Sequence, residues 1–258
     1  MTLHFECTMC GKCCHDLKLP LTVREAVSWL QRGHAVEILC DGLPWQTPPG
    51  AADALDEHRR LRSFAGHSGE MAVRVSVILA AAFDGPCPNL QTDLRCGIYD
   101  RRPLVCRIYP AEIRPGLALQ PGHKACPPEA WSPRAPLYIE RGQPVSVALQ
   151  SQIAESRATD RADVVLKERL CDALALDTVA LADEGVVIHA LPAQLLLDEL
   201  LRLQSAVAPS APRPRTWTFI SNRRETVDRL QQLGAQGVHE AAASAVRRSY
   251  RGFHAPQP

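Results

Sequence analysis

The sequence predicts an α+β fold that is mostly helical. An irregular, cysteine-rich N-terminal unit with short strands is expected to precede a helical C-terminal part. Nine of the ten cysteines lie at or before Cys126. Helix signals dominate the second half, whereas alternating apolar residues, typical of half-buried strands, occupy short stretches. The proline-rich stretch 127–144 separates the two regions, so we expect a metal-binding domain at 1–135 and a helical domain at 136–258.

The first elements follow from local signals. Thr22-Val-Arg-Glu25 resembles a capping box, which predicts a helix that runs to about Arg32 and stops at Gly33. A short strand is expected at 35–40, a loop at 41–50 because of its prolines and glycines, and a helix at 51–62.

Further along, Val73, Val75 and Val77 alternate with polar residues and predict a half-buried strand. Residues 84–97 are rich in turn formers and suit ligand-bearing loops. Asp100 is expected to cap a short helix through Cys106, with a proline in its first turn.

The C-terminal part contains mostly helix formers at 160–181, a brief strand candidate at 186–189 and an apolar helix at 195–203. The apolar row of that helix is expected in the core or at the seam of a homodimer. A linker at 210–214 and a strand at 217–220 come next.

Two more helices are predicted at the end of the chain. A second capping box at 222–225 opens a helix that stops near Gly234, and a last helix covers about Val238–Tyr250.

Composition excludes several classes of protein. The net charge of +1 provides no general attraction to nucleic acid, and the arginines of residues 211–258 are expected on a solvated face. No signal peptide is visible, and the longest apolar run, Met71–Phe83, is too short to span a membrane. We therefore expect a cytoplasmic protein whose partner or substrate is another protein or a small molecule.

Ten cysteines in a reducing compartment indicate metal or redox chemistry rather than structural disulfides. Eight of them form an early and a late group of four: Cys7, Cys10, Cys13, Cys14 and Cys87, Cys96, Cys106, Cys126. Thiolates select zinc, copper(I) or iron–sulfur clusters. We expect the other two, Cys40 and Cys171, to be small buried apolar residues.

The spacing of the early group favours an iron–sulfur cluster over zinc. Bacterial-type ferredoxins use the same C-x2-C-x2-C pattern with a remote cysteine before a proline, and Cys87 and Cys126 both precede proline. Zinc sites more often show two C-x2-C pairs, and the late group has none.

Adjacent Cys13 and Cys14 would point to opposite faces of an extended backbone. They could therefore divide between two four-thiolate sites, or between one cluster and a reactive thiol.

Side chains that flank Cys106 are candidates for binding the cofactor. A four-thiolate cluster is negatively charged, and guanidinium groups from Arg102 and Arg107, beside Tyr99, would stabilise it. Ion pairing of Arg107 with Asp100 or Glu112 is the alternative.

The strings C-T-M-C-G-K-C-C, C-P-N-L, C-G-I-Y-D-R-R-P-L-V-C-R-I-Y-P and A-C-P resemble the CxxCxxCC cysteine-cluster family (YkgJ-like), a zinc- or iron-chelating domain, over residues 5–128. The resemblance implies metal binding by all eight clustered cysteines. Flagellin lysine N-methylases have a similar cysteine pattern. This chain has no glycine-rich G-x-G-x-x-G loop for a nucleotide-like cofactor, which weakens the inference of methylase activity.

Three functions follow from these observations. The leading prediction is an iron–sulfur protein with a 4Fe–4S cluster, an oxidoreductase that acts in electron transfer or in cluster-dependent modification of a substrate. The alternatives are a zinc-binding structural or interaction module and a protein-lysine N-methylase-like enzyme.

Overall fold

The computed structural model describes residues 2–45, 53–206, 215–240 and 248–254. A nine-stranded mixed sheet forms its centre. The prediction of a mostly helical fold is therefore wrong, and the chain has a mixed α/β architecture. The reason is that strands replace predicted helix and loop in several places, where pairing within the sheet outweighs local propensity.

The β-strands are β1 (Leu3–His4), β2 (Lys18–Leu21), β3 (Val36–Pro44), β4 (Ser63–Ser68), β5 (Met71–Ala82), β6 (Leu137–Glu140), β7 (Gln143–Pro144), β8 (Thr178–Leu181), β9 (Gly185–His189), β10 (Thr218–Ser221), β11 (Gln236–His239) and β12 (Arg248–Gly252). The α-helices are α1 (Val23–Gln31), α2 (Ala54–Leu61), α3 (Leu104–Ile108), α4 (Val147–Ala162), α5 (Val164–Ala173), α6 (Ala193–Ser205) and α7 (Arg224–Gln232). Short 3-10 helices occupy Lys12–Cys14, Tyr99–Arg101, Pro121–His123 and Pro128–Trp131.

Strand β5 is the longest strand of the sheet and has partners on both edges. Buried residues alternate with partly exposed ones along most of its length, as the valine pattern predicts. One edge pairs antiparallel with β3 from Val36↔Ala81 to Pro44↔Val73. The other edge pairs with β4 near the start of β5 and with β2 at its end.

The C-terminal strands extend the sheet beyond β3. Strands β8, β10 and β11 run parallel to one another, and α7 connects β10 to β11. Strand β9 pairs antiparallel with β3 and with β12. The sheet thus contains strands from both sides of residue 135, and the division into domains at that residue stays a prediction.

Several predicted elements are confirmed. Helix α1 begins with the capping box, since Thr22 Oγ1 accepts from Glu25 N at 3.2 Å and Glu25 Oε2 accepts from Thr22 N at 2.9 Å. The predicted helices at 51–62 and 195–203 correspond to α2 and α6, and the strand predictions at 186–189 and 217–220 to β9 and β10.

Other predicted elements are wrong. Residues 41–44 continue β3 instead of forming a loop, and 178–181 form β8 instead of helix. Helix α3 begins after Pro103, so Asp100 does not cap it. Helix α7 begins after Arg223, which makes no side-chain cap, so the second capping box is absent.

The predicted last helix is wrong at both described ends. These ends are the strands β11 and β12, each paired with a neighbour in the sheet. Residues 241–247, the linker prediction at 210–214, residues 46–50 of the predicted loop and residues 51–52 of the predicted second helix lie outside the described ranges.

The main core lies between the sheet and helices α1, α5 and α6. Cys40 and Cys171 are buried in it, which confirms that prediction. A hydrogen bond between the two thiols raises the pKa of Cys40 well above its usual range, and burial adds to the shift. Within the described ranges, no helix is both long and apolar enough to cross a lipid bilayer.

A smaller unit packs beside the main sheet. Strand β1 pairs with β6, and β6 pairs with β7, in a three-stranded sheet. A second core, formed by Leu104, Ile108, Ala111, Leu149 and Ile153, joins α3 to α4. This unit holds the segments on either side of Cys126.

Gly69 provides a test of the contact between the β4–β5 turn and the C-terminal part. Its φ is +56, and a Cβ at this position would lie 2.2 Å from the carbonyl oxygen of Gly234. Gly69→Ala is expected to lower the free energy of unfolding by about 2–4 kcal/mol in urea denaturation, because a strained φ and a backbone clash add.

Gly122→Ala is the matched control. Open space surrounds Gly122, and its φ is not positive, so the change should stay within about 0.5 kcal/mol. Equal losses in the two variants would contradict this account of Gly69.

Candidate metal centre

The early cysteines lie on a tight turn. Gly11 adopts φ +69 and precedes the 3-10 helix Lys12–Cys14, and Cys14 N donates to Gly11 O at 2.9 Å. The extended backbone assumed for Cys13 and Cys14 is therefore wrong. Because the backbone is helical there, the two Sγ atoms lie 4.0 Å apart.

Backbone hydrogen bonds connect this turn to Cys87. Cys87 N donates to Cys14 O at 2.7 Å, and His15 forms a β-bridge with Pro86. Asp16 strengthens the connection, since its N donates to Gly85 O at 2.8 Å and its Oδ1 accepts from Gly85 N at 2.6 Å. The first late cysteine is thereby held against the end of the early group.

The loop that follows β5 folds back to bring in Cys96. Leu90 N donates to Cys87 O at 2.8 Å, and Leu90 forms an antiparallel bridge with Cys96. Asn89 Nδ2 lies 3.9 Å from Cys87 Sγ and can donate to it. The predicted turn-rich region is thus a loop that backbone hydrogen bonds close, with Cys87 and Cys96 on it.

Glu25 positions the helix that carries Cys106. Its Oε1 accepts from Leu104 N at 2.8 Å, while its Oε2 closes the capping box of α1. Pro103 occupies the N-cap of α3 and has no side-chain acceptor for the free N–H groups of the first turn. A single carboxylate therefore caps α1 and α3 together.

Tyr109 orients the segment that ends in Cys126. Its hydroxyl oxygen accepts from Ala125 N at 2.7 Å, and burial raises the pKa of Tyr109 to about 12. The adjacent Lys124 forms an ion pair with Glu112 at 2.6 Å. These contacts fix the last cysteine of the late group.

All eight clustered cysteines line one cavity of ≈380 Å³. Apolar side chains form much of the remaining wall, among them Phe5, Leu19, Trp29 and Val105. The structure therefore brings together the two groups that the sequence places far apart.

The charged groups of the wall have one sign. Lys12, Lys18, Arg95 and Arg102 line the cavity, and no carboxylate is among the described residues that do so. Hard cations such as Ca²⁺ and Mg²⁺ need oxygen ligands, so this wall does not suit them. Thiols and cations together suit a thiophilic metal in a negatively charged thiolate complex.

The three predicted cofactor-binding residues differ in placement. Tyr99 and Arg102 line the cavity, and the Arg102 guanidinium lies 3.7 Å from the centre of the Tyr99 ring. Arg107 is not among the described residues of the wall. Its Nε is buried without a hydrogen-bond partner in the described structure, and Glu112 pairs with Lys124 instead.

Comparison with protein families agrees with this arrangement. Residues 6–127 match the sequence model of CxxCxxCC, described as “Putative zinc- or iron-chelating domain”. The match covers a little under half of the chain and includes all eight clustered cysteines. Searches of curated proteins and of solved structures found no significant match to the chain. The match confirms the resemblance that the cysteine strings predicted. Zinc or iron chelation is the function that the description of this family gives.

The thiols of the CxxCxxCC domain differ in acidity. A hydrogen bond with Cys14 lowers the pKa of Cys13 to about 6, and the same bond raises the pKa of Cys14. Burial raises the pKa of Cys106 to about 12 and that of Cys126 to about 11. A metal ion that binds these sulfurs must displace their protons.

The cysteine side chains of the domain surround a shared space and do not form a compact group of ligands. No group of three or more His, Cys, Asp or Glu side chains in the described ranges is spaced closely enough to hold one metal ion. The eight thiols instead surround a shared space. The donor set fits a thiophilic metal.

The sequence did not predict the positions of several residues that surround the cysteines. Glu25 is recognisable as a cap of α1, but its second bond to Leu104 crosses 79 positions of the chain. Asn89 stands in the C-P-N-L string, so the family pattern could have identified it. Lys12 and Arg95 carry no signal beyond their proximity to cysteines.

Glu25 can be tested by mutation. Glu25→Ala removes the acceptor for Leu104 N and for Thr22 N, so we expect the free energy of unfolding to fall by about 1–3 kcal/mol in chemical denaturation. Arg24→Ala is the control, because Arg24 is the exposed residue next to Glu25. This change should alter the free energy of unfolding by less than about 0.5 kcal/mol. A neutral Glu25→Ala variant would refute the shared cap.

Thiol acidity can be tested in chelator-treated, reduced protein. At pH 7 iodoacetamide should modify Cys13 well before Cys106, since the pKa of Cys13 is about 6 and that of Cys106 about 12. The rate at which Cys13 is alkylated should rise as the pH passes through the pKa of Cys13 and then level off. Mass spectrometry of the alkylated peptides measures that rate.

Cys14→Ala serves as the control for that assignment. Without the hydrogen bond from Cys14, the pKa of Cys13 should return toward the ordinary thiol range, and alkylation at pH 7 should slow by more than about tenfold. An unchanged rate would contradict the role of Cys14.

Proposed function

We propose that the CxxCxxCC domain binds an iron–sulfur cluster, most simply a 4Fe–4S cluster, in the reducing environment of the cytoplasm. The supporting observation is the single ≈380 Å³ cavity with eight cysteines in its wall. The ten cysteines are all free thiols, as a reducing compartment requires.

The spacing of the thiols supports a cluster over separate zinc ions. Four sulfurs around a tetrahedral zinc lie at about 2.3 Å from the ion and so at roughly 3.8 Å from one another. No three cysteines of the described chain approach that arrangement. A polynuclear cluster places its thiolate ligands further apart and uses the space between them.

Cys7, Cys10 and Cys13 would hold the cluster through the C-x2-C-x2-C turn, with Cys87 or Cys126 as the remote ligand before proline. When bound, such a cluster supplies one-electron transfer. Four further thiols in the same wall are enough to bind a second cluster or a separate ion.

The remaining wall supports this chemistry. Arg102 and Lys12 would offset the negative charge of a thiolate-bound cluster and favour its reduced state. Arg102 Nε also donates to Tyr99 O at 3.0 Å, which holds the guanidinium in place. The apolar side chains Phe5, Trp29 and Val105 would restrict the access of water to the sulfurs.

A zinc-binding structural or interaction module is the second candidate. The Sγ atoms of Cys13 and Cys14 lie 4.0 Å apart, close to the separation of two thiolates on one tetrahedral zinc. Closed zinc sites would contribute folding free energy and leave no position for substrate. Three further predictions from the sequence stay predictions: a methylase-like activity, a protein or small-molecule substrate, and a homodimer.

Metal and sulfide analysis distinguishes the two candidates. Protein purified without oxygen should be brown, contain iron and acid-labile sulfide, and absorb in the visible range. Colourless protein with about two zinc ions per chain and no sulfide would reject the cluster and support the zinc module.

Two cysteine variants form a matched pair for the same measurement. Cys10→Ser should remove most of the metal, because Cys10 is in the wall of the cavity. Cys171→Ser should retain it, because Cys171 lies in the main core. Equal metal loss in both would contradict the assignment of the ligands.

A further inference from the structure

A second cavity, of ≈770 Å³, lies beside the three-stranded sheet. Its wall comes from the loop 111–119, the β6–β7 hairpin and helix α4. It shares no residue with the cavity that the cysteines line. We call it the arginine cavity, after Arg114, Arg141 and Arg157 in its wall.

The three arginines come from three separate elements that hydrogen bonds hold together. Arg157 of α4 donates from Nε to Ile113 O at 2.7 Å, which fixes the loop against the helix. Gln150 Nε2 donates to Pro144 O at 2.6 Å and fixes β7 against the same helix. Arg141 stands in the hairpin turn, where it and Gly142 both have positive φ.

The positive charge of this wall is largely uncompensated. Glu112 is the one carboxylate among the described lining residues, and Lys124 already pairs with it at 2.6 Å. Within the described structure, Arg114 and Arg141 make no hydrogen bond or ion pair. Arg114 and Arg141 are exposed and Arg157 is half-buried, so water screens the repulsion between the three guanidinium groups, and a bound anion would offset what remains.

Two arginines of the wall also contribute to a pKa shift of His58, as the smaller causes. Burial lowers the pKa of His58, and repulsion from Arg62, Arg157 and Arg114 lowers it further, against an opposing effect of Asp160.

We propose that the arginine cavity binds a small multivalent oxyanion that carries carboxylate or phosphate groups. Guanidinium forms planar, bidentate hydrogen bonds with both groups. The volume falls in the range of small-molecule sites. Leu119, Ile139 and Ile153 provide apolar wall for a carbon skeleton. The site uses none of the cysteines, so it stands or falls independently of the iron–sulfur proposal.

Titration calorimetry with two probes tests this. Tricarballylate represents carboxylates and inorganic phosphate represents phosphates, and metal content is measured before and after each titration to exclude chelation. One probe or both should bind with a Kd at or below about 1 mM, more weakly as salt rises. The probe that binds more tightly identifies the chemical source.

Variants locate the binding to the arginine cavity. Arg141→Gln and Arg114→Gln should each weaken binding by about tenfold or more. Arg134→Gln removes an exposed arginine outside the wall and should bind like the wild type. Circular dichroism confirms that each variant is folded. No binding of either probe to the wild type, or equal binding by all variants, would overturn the proposal.

Discussion

The antiparallel pairing of β2 with β5 is the interaction on which the cysteine-lined cavity depends. Antiparallel pairing places the start of one strand beside the end of the other. The early cysteines immediately precede β2, and Cys87 closely follows β5. The register Lys18↔Ala82 therefore brings Cys14 and Cys87 within hydrogen-bonding distance along the backbone. Burial of β5 in the main sheet makes this register rigid, because a shift by one residue would expose its apolar face.

The two cavities differ in the polar groups of their walls. Thiols and basic groups line the first, and guanidinium groups line the second. The segment from α3 to Cys126 borders both. Glu112 lines the arginine cavity and forms an ion pair with Lys124. Lys124 is two residues before Cys126, which lines the other cavity. An oxyanion in one cavity and a metal in the other would thus both lie against the same short segment.

Local signals predicted elements well where local interactions decide the structure. The capping box of α1 and the valine alternation of β5 depend on neighbouring residues, and both are present. Residues 41–44 and 178–181 were mistaken for loop and helix, since their strand conformation depends on partners far along the chain. The predicted fold class was wrong for the same reason. The pairing of nine strands depends on contacts between distant residues, which local patterns in a single sequence do not show.

The sequence by itself determined the identity of the donors: eight thiols in two groups, in a pattern that marks the CxxCxxCC family. Thiolate chemistry depends on residue type, which the sequence states directly. Only the tertiary structure decided that both groups face one space, that Arg102 lies in its wall while Arg107 does not, and that Glu25 caps two helices. Those facts depend on strand register and helix packing, which arise from contacts between residues that are distant along the chain.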